Sequence, residues 1–327
     1  MATIKDVSAY TGLALGTVSK YLNGLYVRPE NKILLDQAVL ALDYRVNQAA
    51  RNLKQSQKRR IGVMLPTEST SFYTEMLVFF EEELHRQGYS CMMIHFPRDS
   101  SSVCQKVSML RGIVDGIILI SSCASVDDLF KVCGDLPVIL IDHGYPCDTF
   151  DTITVDYRQV ASDVVEHFLA TKQARFGLIT EKTKPQSACN LCESYRNAIA
   201  NHQLTIDSEQ ILECEDSFQA GFNAYLQLIR RNNPPTSILV TGSQLTLGVI
   251  ASARLFGIPL EASTNYVGFT ANHVFQLDSL PIAVIKQPLA RMAVAACGMM
   301  LSRINHDKSA FPSSMCFEAT LSKELSA

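Results

Sequence analysis

The stretch Thr3-Ile4-Lys5-Asp6-Val7-Ser8-Ala9-Tyr10-Thr11-Gly12-Leu13-Ala14-Leu15-Gly16-Thr17-Val18-Ser19-Lys20-Tyr21-Leu22-Asn23-Gly24 decides how the chain is read. It scans as two short helices about a tight turn. Ile4 and Val7 give the first helix an apolar edge, and Gly12 supplies the backbone freedom that a reversal between helices requires. Val18, Tyr21 and Leu22 recur at helical spacing and form the inward stripe of the second helix. Leu15, Gly16, Thr17, Ser19 and Lys20 fall between them and are expected to face outward. A helix lying in a DNA major groove presents such side chains to base edges and phosphates.

A third helix is expected next, because Leu35, Ala38, Val39 and Leu42 stand at i, i+3, i+4 and i+7 and can close a small three-helix core. Asp43-Tyr44-Arg45-Val46-Asn47-Gln48-Ala49-Ala50-Arg51-Asn52-Leu53-Lys54 follows, a basic stretch of short-helix length. Four fragments of this region agree in order and spacing with one pattern: Ile4-x-Asp6-Val7, Thr17-Val18-Ser19-Lys20, Leu22-Asn23-Gly24 and Tyr44-x-x-Asn47-x-x-Ala50-Arg51-x-Leu53. The chain resembles the lactose/galactose repressor (LacI/GalR) family of bacterial transcription regulators, and the likeness extends more loosely over almost its whole length.

That resemblance implies a DNA-facing set of Thr3, Lys5, Leu15, Gly16, Thr17, Ser19, Lys20, Asn23, Tyr44, Asn47, Ala50, Leu53 and Lys54. Leu15, Gly16 and Lys20 fall at the family's principal base-reading positions. Lys20 stands where arginine is commoner, so guanine would meet a point charge rather than a planar fork. Gly16 offers no side chain and Leu15 only a contact for a thymine methyl, which shifts the burden of recognition toward DNA shape. Ala14 replaces the usual capping serine, a change that costs roughly 1 kcal/mol. Leu53 matches the leucine that enters the minor groove as a wedge, with small Ala49 and Ala50 letting two hinge helices approach each other. Val46 replaces the proline that usually precedes Asn47, which makes the start of the hinge less rigid.

Charge supports a nucleic-acid partner once its distribution is considered. The net charge of the 327 residues is only −3. Residues 1–60 hold ten Lys and Arg against Asp6, Glu30, Asp36 and Asp43, a local charge of +6, and the remainder carries −9. A basic head on an acidic body gathers phosphate-binding charge in one place. No signal peptide precedes the first helix, and the longest apolar run, Met292 to Leu301, is about half of a membrane span. Ten cysteines scattered through apolar segments fit reduced thiols in a bacterial cytoplasm.

Beyond the linker Gln55-Ser56-Gln57-Lys58-Arg59-Arg60, buried-strand runs alternate with amphipathic helix-length stretches. The strands begin at Ile61–Leu65 and continue through Cys91–Phe96, Gly116–Ile120, Val138–Ile141, Phe176–Thr180, Ser237–Thr241 and Asn265–Phe269. Such alternation indicates α/β architecture with parallel sheets covered by helices, and ligand sites at the carboxyl ends of strands. The resemblance implies two lobes of the periplasmic-binding-protein type joined by three crossings, near Ile153–Asp156, Lys286–Pro288 and Ala319–Leu321. The domains expected are a helix-turn-helix head at 1–45, a hinge helix and linker at 46–60, and a two-lobed core at 61–327. Lobe 1 takes about 61–155 and 289–318, and lobe 2 about 156–286 and 320–327.

The effector cleft is where the chain departs from the family. Leu191 occupies the place of an arginine, Gly242-Ser243 that of Asn-Asp, and Thr270, after Gly268-Phe269, that of an aspartate. The Gly-His that usually precedes the strand at Arg175–Thr180 is absent. Charged clamps satisfy the buried hydroxyls of a sugar, so an ordinary pentose or hexose is not the expected effector. Phe72, Tyr73, Asp142, His143, Tyr145, Asn190, Leu191, Gly242, Ser243, Gln244, Phe269 and Thr270 are the candidate cleft residues. Cys189-x-x-Cys192 opens the alternative of a redox or metal-responsive switch, and a solute-sensing binding protein is the other alternative. The sequence points to no enzyme, cofactor or metal centre. The reading reached is a cytoplasmic, nucleoid-associated repressor. It would bind a palindromic double-stranded operator as a homodimer under an unidentified small-molecule effector or protein co-regulator, with no membrane partner.

Overall fold

The structure, a computed structural model, describes residues 2–22, 25–44, 58–67, 71–97, 99–121, 124–143, 147–170, 175–182, 186–257, 265–269, 283–307, 309 and 311–322. It divides into two compact units, residues 1–58 and 59–327.

In the first unit three helices follow from local chemistry. α1 (Ile4–Thr11) opens with a capping box: the Thr3 hydroxyl accepts the Asp6 amide, and the Asp6 carboxylate accepts the Thr3 amide at 2.7 Å. Gly12 ends it in the left-handed region, φ 67°. The Ser8 hydroxyl donates to the Leu13 carbonyl at 2.6 Å and pins the turn. α2 (Leu15–Leu22) starts from Ala14, whose carbonyl accepts the Thr17 and Val18 amides. α3 (Pro29–Ala41) has proline in its first turn, where the missing N–H costs nothing. Val7, Val18, Leu35 and Ala38 are fully buried together, with Ile4, Leu13, Tyr21, Leu22, Leu42 and Tyr44 packed around them.

The second unit holds two six-stranded sheets. Sheet one orders its strands β11-β5-β4-β3-β1-β2, all parallel. These are β1 (Arg60–Pro66), β2 (Ser90–Phe96), β3 (Gly116–Ile120), β4 (Val138–Ile141), β5 (Asp151–Asp156) and β11 (Ser314–Glu318). The helices between them are α4 (Ser71–Arg86), α5 (Ser100–Leu110) and α6 (Val126–Cys133). Sheet two runs β12-β10-β9-β8-β6-β7, parallel except for β12 against β10. It comprises β6 (Phe176–Glu181), β7 (Ile211–Cys214), β8 (Ser237–Val240), β9 (Asn265–Phe269), β10 (Ala283–Lys286) and β12 (Thr320–Ser322). Its helices are α7 (Arg158–Leu169), α8 (Gln186–Asn201), α9 (Phe218–Ile229) and α10 (Ser243–Leu255). Each lobe thus repeats the doubly wound order 2-1-3-4-5 with one returning strand added.

The chain passes between the sheets three times. It leaves β5 at Asp156 for α7, leaves β10 at Lys286 for α11 (Leu289–Ile304) on lobe 1, and leaves β11 at Glu318 for β12. Every passage departs from the carboxyl end of a strand, so those ends gather at the junction of the lobes. Met292 to Leu301 lies within α11, whose buried residues include Met292, Ala293, Ala296, Cys297, Met299 and Met300. Among the described residues no helix is long and apolar enough to cross a membrane.

One bond in the head carries a titration test. The Tyr21 hydroxyl donates to the Asp36 carboxylate, joining α2 to α3. That bond, with burial second, pushes the phenol from 10.0 to about 12. A group whose folded value is raised stabilises fully below its unfolded value and loses that stabilisation as pH climbs through the folded one. The head should therefore lose stability between pH 10 and 12. Tyr21→Phe should cost about 1 kcal/mol below that window and flatten the slope within it. Urea unfolding followed by head methyl NMR reads both, and parallel profiles for the two proteins would contradict the assignment.

Candidate functional site

On the head, α2 turns Leu15 (45% exposed), Gly16 and Lys20 to solvent, and a Cβ on Gly16 would meet nothing within 4 Å. Thr17 and Ser19 are half-buried, because an eight-residue helix packed on two neighbours leaves its flanking positions between core and surface. Thr3 and Lys5 are exposed at the start of α1, with Thr3 engaged in its cap. Tyr44 is half-buried against the head core. Asn23, Asn47, Ala50, Leu53 and Lys54 lie outside the described residues.

In the second unit the candidates gather at the carboxyl ends of both sheets. On lobe 1, β3 and β4 are each followed at once by a residue of positive φ, Ser121 at 49° and Asp142 at 51°. The Ser121 hydroxyl donates to the Asp142 carboxylate at 2.9 Å, and the amides of both residues donate to neighbouring strands. Non-glycine residues enter this region at a cost and persist where the surroundings fix them. Asp142 and His143 both follow the end of β4, so the opposite-facing alternation of adjacent strand residues does not govern them. His143 is buried. Tyr73, at the start of α4, is buried in the main apolar cluster, where it acts as core. The Phe72 side chain, Tyr145 and Thr270 lie outside the described positions.

On lobe 2, Leu191 is fully buried in that same cluster, beside half-buried Asn190. The position that would carry a guanidinium is packed hydrocarbon. Gly242 caps α10 and is followed by buried Ser243 and half-buried Gln244. A Cβ at Gly242 would lie 2.7 Å from Asp216 Oδ1 and 3.0 Å from Glu181 Oε1. Two carboxylates thus approach the N-terminus of α10 from the ends of β6 and β7, beside a glycine where an added Cβ would make a side-chain end shift. The loss of Asn-Asp at 242–243 is consequently not a loss of charge from this face. Thr241 Oγ1 donates to Thr180 Oγ1 at 2.9 Å, and Cys192 Sγ lies 3.3 Å from that same oxygen.

Ser121, Thr180, Glu181, Asp216 and Thr241 were absent from the sequence-based set. The signal that would have found Thr180 and Thr241 was available: each stands at the end of a recognised strand. Asp216 had no such signal, because β7 was not recognised.

Cys189 and Cys192 sit one turn apart on α8, and Cys214 Sγ donates to the Thr180 carbonyl at 3.8 Å. Burial, then Asp216, pushes the Cys214 thiol up to about 11, so little reactive thiolate forms at neutral pH. Among the described residues no three metal-ligating side chains gather.

With this geometry in hand, residues 58–315 match the family described as periplasmic binding proteins and the sugar binding domain of the LacI family. The chain belongs to that family. The HTH-type transcriptional repressor PurR of Actinobacillus pleuropneumoniae serotype 3 (strain JL03) is 25% identical over 314 residues, 95% of this chain and 94% of the relative. Among solved structures, the Lac repressor dimer bound to operator and the anti-inducer ONPF superposes with a TM-score of 0.87 at 20% identity, covering 100% of this chain and 99% of that one. The transcriptional regulator CelR in complex with cellobiose gives 0.72 at 18% identity, with 98% of each chain covered. These likenesses establish the family fold, a two-lobed α/β core preceded by a helical head.

The burial of Leu191 has a direct consequence. Leu191→Arg should not restore a sugar clamp. It should place a charge in packed hydrocarbon and destabilise the core by about 3 kcal/mol or more. Calorimetry against a panel of common sugars, beside urea unfolding, separates the outcomes: a stable variant that gains micromolar sugar affinity would refute this account.

Proposed function

We propose that the protein is a sequence-specific DNA-binding transcriptional repressor. In this reading it acts as a homodimer on a palindromic operator in the bacterial cytoplasm, with its affinity set by a small molecule or protein partner acting on the two-lobed core. The observation that carries the reading is the head. An exposed face of α2 bearing Leu15, Gly16 and Lys20 sits in a segment of charge +6, ahead of a core of the LacI-type family. The curated relatives matched over nearly the full chain, head included, are named as HTH-type transcriptional repressors. A solute-binding protein would have no use for that head.

An aromatic patch on lobe 2 favours self-association. Phe218 is 45% exposed, Leu255 71% and Phe256 49%, and Phe222 links the two phenylalanines at ring separations of 6.5 and 6.2 Å. Contiguous exposed apolar surface of this kind marks interaction sites. Two-fold symmetry would present two heads to two half-sites.

Two measurements test the reading. Fluorescence anisotropy on duplexes selected from random DNA should show affinity falling by at least about a hundredfold between 50 and 200 mM salt, as when several phosphates are neutralised. Lys20→Ala should cost about 1–3 kcal/mol and relax preference at one base position. Duplex affinity that survives deletion of residues 1–58 would defeat the proposal. Separately, Leu255→Glu combined with Phe256→Glu should convert a sedimenting dimer to monomer and weaken duplex binding. An unchanged dimer would remove the patch from the interface.

A further inference from the structure

The three passages between the lobes are tied to one another, and the tie reaches the carboxyl edge of lobe 2. In the first passage Tyr157 is buried, 2% exposed, with φ −108° and ψ 1°, the sparsely populated bridge region of backbone space. Its hydroxyl accepts a hydrogen bond from Gln287 Nε2, and Gln287 belongs to the second passage, between Lys286 and Leu289. The third passage joins one residue away, where the Ala319 amide donates to the Asp156 carbonyl at 3.2 Å.

The ring of Tyr157 also meets Phe269, at a centroid separation of 6.5 Å and an interplanar angle of 46°. Phe269 closes β9, and its amide donates to Thr246 Oγ1 at 3.1 Å. That hydroxyl in turn donates to the Gly242 carbonyl at 2.7 Å, and Asp216 and Glu181 converge on the side of that glycine where a Cβ would stand. A continuous series of contacts therefore runs from the carboxyl end of β8, through Thr246 and Phe269, to a tyrosine that grips two of the three passages.

We propose that Tyr157 is a positioning residue that couples the cleft edge of lobe 2 to the angle between the lobes, with the Gln287 bond as the latch of one arrangement. The consequence for DNA affinity rests on the regulator reading given above. A ligand moves such an equilibrium only by binding its two states differently. A group that reports on Phe269 at one end and on the passages at the other supplies that difference without touching the ligand. A purely structural tyrosine would stabilise the core equally in every arrangement, so the two roles separate experimentally.

The test uses the full chain as wild type, Tyr157→Phe, Gln287→Leu and the double variant, with a duplex selected from random DNA by the wild type. The loss of one hydrogen bond should shift duplex affinity by about three- to tenfold, in the same direction for both single variants, with no further shift in the double. Small-angle scattering should show a changed radius of gyration in the same three proteins while each still unfolds cooperatively. Wild-type affinity and scattering in Tyr157→Phe, or additive shifts in the double variant, would overturn the proposal. A wild type that selects no duplex would instead fail the regulator reading. Scattering, together with hydrogen exchange in β10 and β12, would then decide the latch alone: a change in Tyr157→Phe supports it and no change overturns it.

Discussion

Burial of the three interlobe passages in one apolar cluster is the constraint on which the rest of the second unit depends. Ile153, Val155, Tyr157, Leu289 and Ala319 belong to it, together with Ile61, Val63 and Ile118 from one sheet and Phe176, Leu178 and Val267 from the other. Because the passages leave from strand ends, the cluster fixes where the carboxyl edges of both sheets must lie. The residues that line those edges inherit their positions from it. The last passage is anchored at its far end as well. Arg303 makes a bidentate pair with fully buried Asp151, at 2.7 and 2.8 Å, and the Ser313 amide donates to the same carboxylate at 2.7 Å. A buried ion pair is tolerable only when its remaining oxygens and protons are engaged. Here the engagement ties α11 and the approach to β11 onto the start of β5.

The order of the fold was legible because parallel sheets covered on both faces demand uninterrupted apolar runs. Val138–Ile141 and Gly116–Ile120 are such runs, and both are wholly buried strands. Strands outside that regime gave no comparable signal. β11 (Ser314–Glu318) is an edge strand exposed along most of its length, and β5 reads Asp-Thr-Ile-Thr-Val-Asp, with polar residues at alternate places. Neither was expected as a strand, and only the end of β5 was expected as a passage. The head was legible for a different reason: its turn glycine and its inward stripe, Val18 with Tyr21 and Leu22, are local in sequence. Its capping box and the Tyr21–Asp36 bond were not foreseen. The first depends on rotamers, and the second joins residues fifteen apart on separate helices.

The site was less legible than the fold, for a geometric reason. Family positions such as 191, 242 and 243 can be read off one at a time, and each had lost its usual polar group. The compensating carboxylates come from elsewhere. Glu181 ends β6, and Asp216 follows β7 by two residues, thirty-five positions away in sequence. Parallel pairing of Glu181 with Cys214 brings them together. No local pattern encodes that meeting, and glycine at 242 leaves room for it.

The placement of these carboxylates bears on what lobe 2 can hold. A helix N-terminus carries partial positive charge and unsatisfied amides, which makes it a natural seat for an anion. At α10 that seat is approached by the protein's own Asp216 and Glu181, crowded against the capping glycine. An anionic ligand seated there would meet two acidic side chains at close range, and each of them when ionised repels a further anion. The substitution of Asn-Asp by Gly242-Ser243 therefore changes more than the number of hydrogen-bonding groups. It lets carboxylates from two neighbouring strands take over the helix terminus.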